Sequence, residues 1–374
     1  MYERDRRTRR WRELTTPPAL IPYSAIGPPN DEVGGAPWRV RVVTRGVAVT
    51  LIAIIAALIL VMDESGPEVA FSASVEHLRS VVRSLAFEPQ GRAVYACTLD
   101  GALLTWEPGR RPRPLNLAED HVLVRRPVFA PNVQTLAVAT QDGGVTLWDL
   151  AARHRRLQIP SRGGPAMALA FSRDSARLAV ADPDGIRLLD AANGEPVAAP
   201  SPALRGVSCL AFAPDGQSLA VGGQDGLVWI WRLGEKEPVT SFRAHRSAIT
   251  TLAFADDGQV LASLSFDGHV ARLWQPGDGR LVTELNADSH IQTLVFAPGG
   301  RMLATADFGG MIGIWDLESG RRLVRFPGLD GGPLTTLAFS SDGATLACGD
   351  TGSIGLYRVG GSESLAHERE PAEE

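Results

Sequence analysis

The side chains best suited to chemistry in this chain are seven histidines, three cysteines and a few paired aspartates, so their spacing decides what they can do. No two histidines stand four apart around a glutamate, so the HExxH pattern that grips zinc on one helix face is absent. A GxSxG nucleophile elbow, a GxxxxGK[ST] phosphate loop and a DxDxDG calcium loop are absent as well. Cys97, Cys209 and Cys348 lie far apart in apolar strand patterns, which suits small buried residues rather than a disulfide frame or a metal ligand set. Two turns hold carboxylate pairs, Asp182-Pro183-Asp184-Gly185 and Asp256-Asp257-Gly258. Such a pair can hold a cation weakly, yet Asp before Gly is what a tight turn needs in any case. No catalytic residue, metal site or cofactor site is read from these patterns, and no small-molecule substrate is inferred.

Charge narrows the partners. The net charge is −5, but it is unevenly spread. Residues 1–45 carry nine arginines against five acidic residues, while the remainder holds 28 basic and 37 acidic residues. An acidic main domain argues against nucleic acid, whose phosphates need a basic face.

Between these parts lies Gly46 to Met62, seventeen residues without a charge. At 1.5 Å per residue this is near the short end of what spans a ~30 Å hydrocarbon core, and only Thr50 is polar. The run predicts one transmembrane helix. Arg39, Arg41 and Arg45 precede it, with six more arginines from Arg4 to Arg12, and Asp63, Glu64 and Glu68 follow. Positive residues stay inside, which predicts a cytoplasmic N-terminus, a single-pass anchor and a main domain outside the cytoplasm, and the arginine-for-lysine skew suggests a bacterial inner membrane. A cleaved secretory signal with a site near Ala70 or Ala73 is the competing reading. It would cut into a segment the main domain needs. Residues 1–45, rich in Arg and Pro without an apolar face, are expected to be disordered.

What positions the remaining side chains is a repeat. Leu-Ala-Phe or a close variant ends at Phe87, Phe129, Phe171, Phe212, Phe254, Phe296 and Phe339, with spacings of 42, 42, 41, 42, 42 and 43 residues. Each Phe is followed by a turn of Pro, Asp or Gly type and then a short apolar strand. Thirteen residues past the Phe stands Asp100, Asp142, Asp184, Asp225 or Asp267, and a strand ending in Trp follows in most units. Units of about four short strands cannot bury both faces alone, so neighbours must stack. The aromatics fall where adjacent sheets would press together.

These residues resemble the WD-repeat family over roughly Glu68 to Val359. The naming dipeptide stands at Trp148-Asp149 and Trp315-Asp316 and is relaxed elsewhere. The resemblance implies an all-β fold, a seven-bladed β-propeller of four-stranded antiparallel blades, here preceded by one transmembrane α-helix. The family's structural tetrad looks complete once, as His245, Ser265, Asp267 and Trp274, which gives His245 a structural role rather than that of a general base. Thr98-Asp100-Trp106 and Thr140-Asp142-Trp148 are partial versions, with His77 and His121 as offset first members. In the sixth and seventh units Gly309 and Gly352 replace the turn Asp, and Asp307 and Asp350 stand two positions earlier to cap the same turn. The family also implies that Glu68–Val75 supplies the outer strand of the last blade. The domains expected are a cytoplasmic segment 1–45, a membrane helix 46–62, a propeller 68–359 and a disordered acidic tail 360–374.

Family members mostly bind proteins, commonly through the loops that enter each first strand. Those loops are expected to present Arg83, Arg125, Arg126, Arg162, Arg205 and Arg246, a basic sector for an acidic protein partner, with Asp288 and Asp330 in the last two units. The leading function is a non-enzymatic interaction scaffold or sensor tethered to the membrane. Bacterial propellers of this kind are often joined through a membrane helix to a kinase, which 45 residues cannot provide. A propeller enzyme, hydrolase or quinoprotein dehydrogenase, is the alternative, and it needs His and carboxylates converging from several blades.

Overall fold

The computed structural model describes residues 2–4, 11–13, 67–76, 78, 80–115, 127–140, 143–197, 204, 206–329 and 332–360. The chain divides into two compact units, Met1–Asp63 and Glu64–Glu374. In the first, Tyr2–Arg4 pairs antiparallel with Trp11–Glu13. The expectation of disorder over residues 1–45 falls on a segment of which only these six residues are described. The run 46–62 and the tail 361–374 lie outside the described residues.

The second unit is a seven-bladed propeller of four-stranded antiparallel sheets. Blade five is representative, with strands Ile249–Phe254, Leu261–Ser265, Val270–Gln275 and Arg280–Asn286. Its second strand is buried at every position, because alternate side chains serve opposite faces of the sheet. Leu261 packs toward blade four, while Ala262 and Leu264 pack toward blade six. The same division recurs around the ring, giving one apolar cluster at each of the seven blade interfaces.

The ring closes as the family resemblance implies. Glu68–Val75 is the outer strand of blade seven, pairing with Ile354–Gly360. Phe71 packs edge-on to Tyr357, with centroids 5.6 Å apart. The last core, which joins Ile354 and Leu356 to Val82, Leu85 and Trp106, binds blade seven to blade one.

The turn after each first strand is the same in every blade. Its left-handed residue falls four positions past the repeat Phe: Gly91, Gly216, Gly258, Gly300 and Gly343 in five blades, Val133 and Ser175 in the other two. Left-handed φ is free of steric cost only for glycine, which explains the Gly at this place in most units.

Antiparallel strands place two kinds of connection at each end of a blade. The turn between second and third strands shares one end with the segment entering the first strand. This entry end is stitched by backbone hydrogen bonds: Leu99 N–H to Val81 O at 2.8 Å, Gln224 to Gly206 at 2.8 Å, Phe266 to Ala248 at 2.9 Å and Phe308 to His290 at 2.8 Å. The other end carries the turns that follow first and third strands.

Candidate interaction surface

Within blade five the tetrad residues form a longer chain than the sequence suggests. Ser265 Oγ donates to Asp267 Oδ1. That uses its only proton, so the 2.9 Å bond to His245 Nδ1 is donated by the ring. A neutral imidazole protonated at Nδ1 accepts at Nε2, where Ser263 Oγ lies 2.8 Å away. Ser263 in turn accepts the Trp274 indole N–H at 2.8 Å. The proton donors therefore run in one direction, from Trp274 through Ser263, His245 and Ser265 to Asp267. Trp274 does not meet Ser265, which corrects the four-residue set: the indole needs Ser263 as a fifth member. Both serines point to one face of the strand, being two apart, and only the register tells which meets the indole.

Burial lowers the His245 pKa to about 4, with the Arg272 guanidinium as second cause. The ring is thus held neutral, as the chain of donors requires. Asp267 is held below the usual carboxylate range by the Ser265 hydroxyl first and the Ser247 hydroxyl second. The group is a scaffold strut, since each ring nitrogen already has a serine partner.

Other blades vary the theme. Trp315 Nε1 donates to Thr305 Oγ1 at 2.9 Å. Trp106 Nε1 turns instead to the Arg110 carbonyl at 3.1 Å, while Thr98 Oγ1 donates to Asp100 at 2.5 Å. Trp231 is buried with an unpartnered indole N–H, for blade four has Val221 where blade five has Ser263. Asp307 and Asp350 do cap their turns, accepting from Met311 N at 2.8 Å and from Gly352 N at 2.8 Å and Ser353 N at 2.7 Å. His77, His121 and Asp142 lie outside the described residues.

The entry end presents the outward-facing side chains. Each of four first strands has a bulge at the same place, at Arg83, Ser208, Thr250 and Gln292. A bulge re-aims a side chain, and Arg83, Thr250 and Gln292 are exposed. Arg83 was expected in a loop; it belongs to the strand Val82–Phe87 and is turned out by this bulge. Arg162 and Arg246 are exposed at the same end, whereas Arg125, Arg126, Arg205 and Asp330 lie outside the described residues. Asp288 sits 2.9 Å from Arg322 and 3.4 Å from Arg325, which offsets its charge.

The sequence reading missed two side chains here. Phe266 and Phe308, at the same turn position in blades five and six, are 74% and 61% exposed. His290 ties their turns together. Its Nε2 lies 2.8 Å from the Phe266 carbonyl, which can only accept, and its own carbonyl accepts the Phe308 N–H. The one sequence signal available was an apolar residue directly before the turn Asp or Gly.

Little here suits catalysis. A depression of about 450 Å³ at this end is lined by Met167, Ser208, Gln224, Ala248, Ile249 and Thr250, none of which ionises. Burial pushes the Cys97 and Cys348 thiols up to about 12, so neither supplies a thiolate. Among the described residues, no group of His, Cys, Asp and Glu is placed to hold a metal ion, and no helix is long and apolar enough to cross a membrane.

Comparison with known families agrees with this architecture: residues 197–311, spanning blade four, blade five and much of blade six, are similar to the β-propeller family described as nucleolar protein 10-like, N-terminal domain.

Proposed function

We propose that this protein is a non-enzymatic interaction scaffold whose propeller is tethered to a membrane by residues 46–62 and displayed outside the cytoplasm, where it binds a protein partner through the entry end. One observation carries the reading: two phenyl rings are held out in solvent on hydrogen-bonded turns of adjacent blades. Exposed aromatics on a rigid frame lose little freedom on binding and bury much area, the usual character of interface hot spots. Arg83, Arg162 and Arg246 add positive charge at the same end, which favours a partner with acidic residues beside its apolar contact.

The tether rests on the uncharged run and on the arginines before it. The scaffold reading is supported by His245, the best candidate base, being occupied on both ring nitrogens. A reporter active only outside the cytoplasm, fused after Glu374, tests the topology and is expected to be active. An inactive reporter there, with an active one at the N-terminus, reverses it. Affinity capture from membranes with the full chain as bait is expected to yield a stoichiometric protein partner, and substrate turnover by the purified chain alone would replace the scaffold with an enzyme.

A further inference from the structure

The densest positive charge on the described propeller lies at the end opposite the candidate surface. In blade one the connection to the outer strand and that strand itself carry Arg110, Arg111 and Arg113, and in blade two Arg153, Arg155 and Arg156, all exposed. The only carboxylates in these two stretches, 107–114 and 149–156, are Glu107 and Asp149, and Glu107 pairs with Arg110 at 2.7 Å. The matching stretches of blades three to six have no positive excess. Blades one and two share an apolar core containing Leu103, Leu115, Leu136 and Leu150, so the two arginine groups are neighbours. On an acidic domain this is a local positive field of the kind that steers anions.

Backbone geometry points to the same residues. Arg153 adopts φ 56, whereas blades three, five and six have Gly194, Gly279 and Gly320 at that turn position, with φ 75, 71 and 67. Only glycine takes this conformation freely, so Arg153 stands where three other blades have glycine.

Strand direction gives the third observation. Glu68 pairs with Gly360, the last residue of the third strand of blade seven, so the outer strand of that blade starts at the end that bears the arginines. Five residues, 63–67, separate Glu68 from the apolar run, a reach of about 20 Å when extended. With that run in a bilayer, the chain enters the propeller at this end, within that reach of the headgroups.

We infer that the arginine patch of blades one and two docks on anionic phospholipid headgroups, lying the propeller against the bilayer and leaving Phe266 and Phe308 directed to the aqueous side. Guanidinium groups suit phosphate through paired N–H donors, and arginine clusters near a membrane bind anionic lipid electrostatically. The inference rests on the tether reading.

The test uses the full chain in lipid discs of phosphatidylcholine, with or without phosphatidylglycerol, and reads arginine-selective modification by mass spectrometry. Arg111, Arg113, Arg153 and Arg155 are expected to react about fivefold more slowly in the anionic discs, as one favourable contact per arginine implies. Arg83 and Arg246, exposed at the opposite end, serve as references and stay unchanged. Protection is expected to vanish at ~0.5 M salt, where screening leaves only a few Å of range. Equal modification in both discs overturns the inference. A chain that fails to enter discs refutes the tether alone, and the patch is then read by flotation with phosphatidylglycerol vesicles. Flotation of the wild type but not of a chain with Arg111→Glu, Arg153→Glu and Arg155→Glu supports the patch. No flotation of either, or patch-dependent binding of an acidic protein without lipid dependence, overturns it.

Discussion

His290 donates its Nε2 proton to the carbonyl oxygen of Phe266, 2.8 Å away, and so fixes one exposed aromatic turn from the next blade. His290→Ala removes that bond and leaves the Phe308 N–H bonded to the residue 290 carbonyl. The change is expected to cost about 0.5–1.5 kcal/mol of stability and to speed hydrogen exchange in residues 266–268 while sparing 308–310. Equal acceleration in both turns would show that the histidine side chain does not hold Phe266 in particular.

Trp231 marks a repairable defect. Its buried indole N–H has no acceptor, a deficit that typically costs 1–3 kcal/mol. Val221→Thr places a hydroxyl where Thr305 serves Trp315, with little change of volume. Thermal unfolding is expected to shift upward by an amount equivalent to about 1 kcal/mol. A lower midpoint would mean that the hydroxyl cannot reach the indole.

That defect also shows what a sequence can carry. The seven units are legible because each repeat Phe and its turn serve the same interface and the same left-handed residue, so selection of one geometry leaves one spacing. Closure by Glu68–Val75 follows from the family resemblance rather than from spacing. The role of Ser263 is not legible, because Ser263 and Ser265 share a strand face and differ only in register. Phe266 and Phe308 read as ordinary turn neighbours until their exposure is known. The arginines of blades one and two are about forty positions apart and become one patch only through blade adjacency. Arg83, Arg162 and Arg246 are exposed at the entry end, and among the described residues the densest positive charge lies at the opposite end.

His245 makes stability depend on pH. Its folded pKa is about 4, below the ordinary 6.5, so between these values the unfolded chain binds more protons. Stability therefore rises with pH across that window and is lost as pH falls from about 6.5 to about 4, by roughly 1–3 kcal/mol. His245→Gln is expected to lower stability at pH 7 and to flatten this slope in denaturant unfolding. An unchanged slope would assign it to other groups.

Ring closure has its own test. Deleting residues 1–76 removes the outer strand of blade seven and bares the edge of Ile354–Gly360, while deleting 1–62 leaves every propeller strand. The longer deletion is expected to lower the melting midpoint substantially and to promote self-association through the open edge. Equal midpoints for the two chains would show that the strand is dispensable.

The scaffold account is tested most directly by Phe266→Ala with Phe308→Ala in the full chain, measuring captured partner and melting midpoint together. Both rings are largely solvent-exposed, so their loss is expected to change stability by no more than about 0.5 kcal/mol. Partner capture is expected to fall by tenfold or more, since losing a hot-spot residue commonly costs about 2 kcal/mol of binding or more. A folded double variant that captures its partner as well as the wild type would contradict the account.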